Sequence, residues 1–109
     1  MSNFQQRDRI ASSELGNPLG HTATGLLQVE LRKIHDGFLY WNHDSLLFIA
    51  DEYIFRDGNL LKLKFADLGR PKSKYVLWNG ELDFGSGAWI FHGQKKHMKD
   101  LEARIARSI

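Results

Sequence analysis

Five histidines, at positions 21, 35, 43, 92 and 97, are the residues of this 109-residue chain best suited to metal ligation or proton transfer. Their spacing serves neither. No two of them stand four apart with a carboxylate between, no His-x-His occurs, and no carboxylate-rich cluster accompanies them. His35-Asp36 and His43-Asp44 fall in predicted turns, where such side chains commonly bond to the local backbone. The chain has no cysteine, which excludes disulfides, thiolate metal sites and cysteine nucleophiles. Asp83-Phe84-Gly85 matches a kinase motif in letters, but the glycine-rich loop, the lysine strand and the catalytic loop that give those letters meaning are missing. Ser86 has no nucleophile-elbow context, and neither a phosphate-binding loop nor a dinucleotide fingerprint is present. The sequence therefore predicts no catalytic residue, no metal and no cofactor.

Charge and aromatic residues offer more. Arg70, Lys72 and Lys74 lie in "RPKSK", read as a loop, and Lys95, Lys96 and Lys99 begin a helical segment. Brought together, these six would suit phosphate groups or anionic lipid headgroups, at about 1 kcal/mol per basic residue near a membrane surface. Residues 25–69 carry five basic against seven acidic side chains, whereas 70–109 carry eight against four. That weakly basic half falls short of the field of a dedicated nucleic-acid binder. Tyr40, Trp41, Trp78 and Trp89 sit in predicted strands that carry Leu39, Leu77 and Ile90 at neighbouring positions, so both strand faces are partly apolar. A single core and one docked helix would leave some of this surface uncovered. These four aromatics are the predicted surface for a protein partner or for self-association.

The elements that must position them form one domain, with 42% hydrophobic and 12% aromatic residues. No apolar run reaches the roughly 18 residues of a membrane span, and residues 1–20 lack the apolar stretch of a signal peptide. The expectation is a soluble, cytoplasmic protein, with peripheral membrane attachment as an option. Residues 1–24 are read as a polar leader or docking arm, with a sparse stripe of Phe4, Ile10 and Leu15 that would allow a helix over 3–15. From Gly25 the pattern alternates with period 2: Leu27, Val29 and Leu31 against Gln28, Glu30 and Arg32. Asp36-Gly37 predicts a turn at 35–37. Strands are then expected at 38–41, 46–50, 53–56, 60–65, 75–79, 80–87 and 88–93, with a loop over 69–74. In 60–65, Leu61, Leu63 and Phe65 share one face, and a one-residue slip would bury Lys62 and Lys64 instead. After Gly93 the period changes to 3.6, with Met98, Leu101, Ile105 and Ile109 on one stripe and with Lys96–Asp100 and Asp100–Arg104 as i,i+4 pairs.

The segment "SLLFIADEYIFRDGNLLKLKFADLG" resembles the core of the GRAM and bacterial pleckstrin-homology-like families, through Asp51-Glu52, Ile54-Phe55-Arg56-Asp57, Lys62-Leu63-Lys64 and Asp67-Leu68. The ending "AWIFHGQKKHMKDLEARI" is similar to the families' last strand and capping helix. The resemblance covers about residues 25–108. It implies a mainly β, α+β fold: an antiparallel roll or barrel of about seven strands capped by one C-terminal amphipathic helix. It also implies a non-enzymatic module that binds protein partners and self-associates, or alternatively one that meets anionic lipid. Two departures stand out. Trp89 precedes the capping helix rather than lying in it, and the first hairpin has only Arg32, Lys33 and His35 near its turn.

Overall fold

The computed structural model describes residues 3–21, 25–30, 33–51, 58–85 and 89–108. Its elements run α1 (Asn3–Leu15), β1 (Gly20–His21), β2 (Gly25–Glu30), β3 (Lys33–Trp41), β4 (Ser45–Ala50), β5 (Leu60–Lys64), α2 (Phe65–Leu68), β6 (Lys72–Val76), β7 (Asn79–Asp83), β8 (Ile90–Gln94) and α3 (Lys95–Ser108). Every strand pairing is antiparallel. Seven strands follow the order β5-β4-β3-β2-β8-β7-β6, and the short β1 pairs with the end of β3. The fold is α+β and mainly sheet, as the alternating pattern required. It is not the closed barrel that the resemblance allowed: among the described residues β5 and β6 remain edges. The α3 helix takes the place of a closing strand pair. Its stripe of Met98, Leu101 and Ile105 is fully buried in the same core as Leu39, Trp41, Leu46, Phe48, Leu82 and Phe91.

Local turn signals misplaced two reversals. Residues 35–37 are not a turn but lie inside β3, with Leu27 opposite His35, Gly25 opposite Gly37 and Glu30 opposite Lys33. Glu30 and Lys33, the described ends of β2 and β3, pair with each other. Gly37 is needed for close approach instead: a Cβ there would collide with the Ile49 carbonyl oxygen and lie 2.9 Å from the Ala50 Cα, both backbone atoms that cannot move aside. Residues 69–74 are not all loop either. Lys72 to Lys74 belong to β6, and the strand expected at 75–79 is broken by a two-residue turn at Leu77-Trp78, where Val76 pairs with Asn79. The expected strand at 53–56 and Ile109 lie outside the described residues. So does the 86–88 portion of the strands expected at 80–87 and 88–93.

A second core explains why β3 and β4 are apolar on both faces. Leu39, Trp41, Leu46, Phe48 and Ala50 point into the main core. Phe38, Tyr40, Leu47 and Ile49 point the other way and are covered by Ala11 and Leu15 of α1. Polar contacts fix this helix in place. The Tyr40 hydroxyl donates to Asp8 Oδ1 at 2.7 Å, Arg7 pairs with Asp51 at 2.6 Å, and the Arg7 guanidinium lies 3.7 Å over the Phe38 ring. At the other end Gly16, with φ +75°, closes the helix by donating its N–H to Ser12, while Asn42 and Lys62 donate to the free carbonyls of Leu15 and Glu14.

The α3 helix is fastened by Asp100, whose carboxylate accepts from Trp41 Nε1 at 2.9 Å and from Arg104 Nε at 3.0 Å. Burial works against its charge, but these two hydrogen bonds and the charges of Arg104 and Arg107 outweigh it and hold the carboxyl below the usual carboxylate range. A depressed carboxylate contributes stability that is present above its unfolded-state value and is lost as pH falls through its folded-state value. The expected result is a melting temperature that falls below about pH 4, with a shallower acid slope in Asp100→Asn. Identical slopes in thermal melts of the two proteins from pH 6 to 2.5 would show that Asp100 carries no such linkage.

Candidate interaction site

The site is built at the β6–β7 tip and the first turns of α3. The hairpin register places Lys72 opposite Asp83 and Lys74 opposite Glu81, symmetric about the 77–78 turn. Leu77 takes φ +54°, a left-handed conformation in which a bulky residue is a genuine outlier and a two-residue hairpin ordinarily places Gly, Asn or Asp. Val76, Leu77 and Trp78 are the exposed apolar run, with Leu77 81% and Trp78 84% accessible. The tip is tied to the helix. Lys95 donates its N–H to the Trp78 carbonyl at 2.6 Å, and Gly80 and Asn79 pair with Gly93 and Gln94 of β8.

Beside the tip a cleft of about 470 Å³ is lined by Trp78, Gln94, Lys95, Lys96 and Lys99, with no acidic residue among them. Lys99 Nζ also stands 5.4 Å over the Tyr75 ring. The Tyr75 hydroxyl donates to Glu102 at 2.9 Å, so burial and that carboxylate together push its ionisation up and keep it a neutral donor. His97 stacks at 6.3 Å on His21 of β1. Burial, then the charges of Lys96 and His21, push its pKa down against the opposing pull of Asp100, so it adds no charge to the lysines at neutral pH.

The six predicted basic residues do not form one patch. Lys95, Lys96 and Lys99 converge beside Trp78, and Arg70 joins Lys99 along a second groove of about 380 Å³ that also includes Glu102. Strand alternation sends Lys72 and Lys74 to the face opposite Tyr75, where Asp83 and Glu81 stand across from them. Of the four predicted aromatics, Tyr40 and Trp41 are corrected: they are 2% and 0% accessible, because α1 covers one and α3 the other. Trp89 packs partly buried against the main core, and Trp78 alone of the four is exposed. Leu77 was missed as a site residue. The matched charges of 72/83 and 74/81 were the signal that would have placed the turn there.

No protein-family model and no curated protein matches the chain. Among solved structures it is similar to the C-terminal domain of an unknown protein from Leishmania infantum, at 13% identity and a TM-score of 0.56, over 97% of this chain and 98% of that one. At that identity the likeness speaks for the α+β fold alone. No helix of the described residues is long and apolar enough to cross a membrane.

Proposed function

We propose that this chain is a non-enzymatic interaction module of the pleckstrin-homology-like type, cytoplasmic and peripheral, whose ligand is an anionic membrane surface met by the β6–β7 tip and the start of α3. The succession of antiparallel strands and a C-terminal helix supports the family reading. The observation that carries the function is that Lys95, Lys96 and Lys99 share one cleft with exposed Trp78, with no acid among its described lining residues. Lysines at the start of a helix oppose its dipole, so their placement there is not explained by helix stability.

Cosedimentation with phosphatidylcholine vesicles of rising phosphatidylserine content is the test. Binding is expected to grow with the anionic fraction and to fade at high salt, as screening shortens. Replacing Lys95, Lys96 and Lys99 by Glu should weaken it by a factor on the order of 100, from about 1 kcal/mol per basic residue. Equal binding by wild type and triple variant would remove the lysines from the site. A protein partner, or a second copy of this chain, is the second reading, favoured by the edge that β6 presents among the described residues. It becomes the working one if vesicles are not bound at any anionic fraction.

A further inference from the structure

We propose that the β6–β7 tip is a membrane wedge: Leu77 and Trp78 enter the boundary between headgroups and acyl chains of an anionic bilayer, while Lys95, Lys96 and Lys99 meet the phosphates beside it. This deepens, and rests on, the anionic-surface reading above, and it specifies a bilayer rather than a soluble anion as the ligand.

Four observations carry it. First, the two residues at the turn are large, apolar and almost wholly accessible, and Val76 extends the apolar run along β6. Second, the backbone at Leu77 has the positive φ that glycine adopts freely and leucine does not. Among the described residues Leu77 packs into neither core, so no packing there offsets the strained conformation. A residue chosen for the turn alone would be Gly or Asn. Third, tryptophan beside lysine is the pairing found where a surface meets the membrane interface, the indole at headgroup depth and the ammonium reaching outward. Fourth, the tip is held ready by the β6–β7 ladder and by the Lys95-to-Trp78 backbone bond, so little ordering is required on binding. Two apolar side chains and three lysines make two weak signals, which together suit reversible attachment. A soluble phosphate in the cleft would account for the lysines but leave Leu77 without a purpose.

The test uses the full chain with anionic vesicles that carry brominated acyl chains. Trp78 emission should shift to the blue and be quenched, and Trp78→Phe should lose that response, because Trp41 is fully buried and Trp89 packs against the core. Leu77→Gly should bind vesicles about tenfold more weakly while its melting temperature stays equal or rises, since glycine relieves the turn. A soluble glycerophosphate headgroup should not displace the bound protein. If vesicles are bound without quenching and Leu77→Gly binds as wild type does, the wedge is overturned and the lysine reading stands. If the soluble headgroup displaces the protein fully, the ligand is the phosphate alone and the wedge is likewise overturned. If no anionic vesicle is bound, both readings fail together.

Discussion

A chain shortened to residues 18–109, and so lacking α1, is expected to lose its cooperative thermal transition and to bind a hydrophobic dye. The shortened chain keeps β1 and every strand pairing, so nothing in the ladder itself is cut. What it loses is the cover over Phe38, Tyr40, Leu47 and Ile49, all buried in the full protein. Returning such side chains to water costs about 1.5–3 kcal/mol each. Even with generous allowance for residual burial, the total is about 5 kcal/mol or more, comparable with the whole stability of a small domain. The polar anchors go as well: Asp8 on Tyr40, Arg7 on Asp51, and the Leu15 carbonyl on Asn42. A sharp melt within a few degrees of the full chain, followed by circular dichroism, would show that the second core is dispensable. The strands from β1 onward would then carry the fold without α1.

Trp41→Ala is expected to destabilise the protein by about 3–5 kcal/mol, the usual range for removing a large buried aromatic. Trp41 is wholly inaccessible and lies where β3, β4 and α3 meet, and its indole N–H donates to Asp100. Trp41→Phe separates the two contributions. It keeps most of the ring volume and loses the hydrogen bond to a charged acceptor, for an expected cost of about 1.5–3 kcal/mol. Because Asp100 then loses one of the bonds that hold its carboxyl low, the acid slope of stability should flatten in Trp41→Phe, as in Asp100→Asn. Urea unfolding at pH 7 and at pH 3.5 measures both effects. A Trp41→Ala cost below about 1 kcal/mol would mean that α3 docks without this contact.

These two expectations bear on where a ligand can act. With α1 over one face of β3 and β4 and α3 over the other, most of the aromatic surface that suggested a protein-binding patch is spent on internal packing. The tip formed by Val76, Leu77 and Trp78 is the exposed apolar run that remains beside a cluster of positive charge. Burial keeps the His97 imidazole neutral, so it adds no charge to Lys95, Lys96 and Lys99, and the Glu102 carboxylate beside Lys99 accepts from the Tyr75 hydroxyl.

The strands of "SLLFIA" and "LLKLK" and the final helix were legible in the sequence, because burying one face fixes a period and the period is written in the residue order. The stripe of Met98, Leu101 and Ile105 is buried as the 3.6-residue spacing required. Turns were less legible. Asp36-Gly37 is a good local turn, yet the pairing of Gly25 with Gly37 and of Gly37 with Ala50 holds it in mid-strand, since backbone packing outweighs a turn preference worth far less. The turn at Leu77-Trp78 went the other way: leucine has no turn preference at positive φ, and only the ladder on either side places it there. The sequence by itself determined the α+β class, the alternating core faces and the capping helix, because these depend on periodicity along the chain. Tertiary structure alone decided that Tyr40 and Trp41 are buried, that Lys72 and Lys74 part from Lys95, Lys96 and Lys99, and that Trp78 stands exposed among the latter three. Those outcomes depend on which element covers which face, and residues far apart in the chain settle that together.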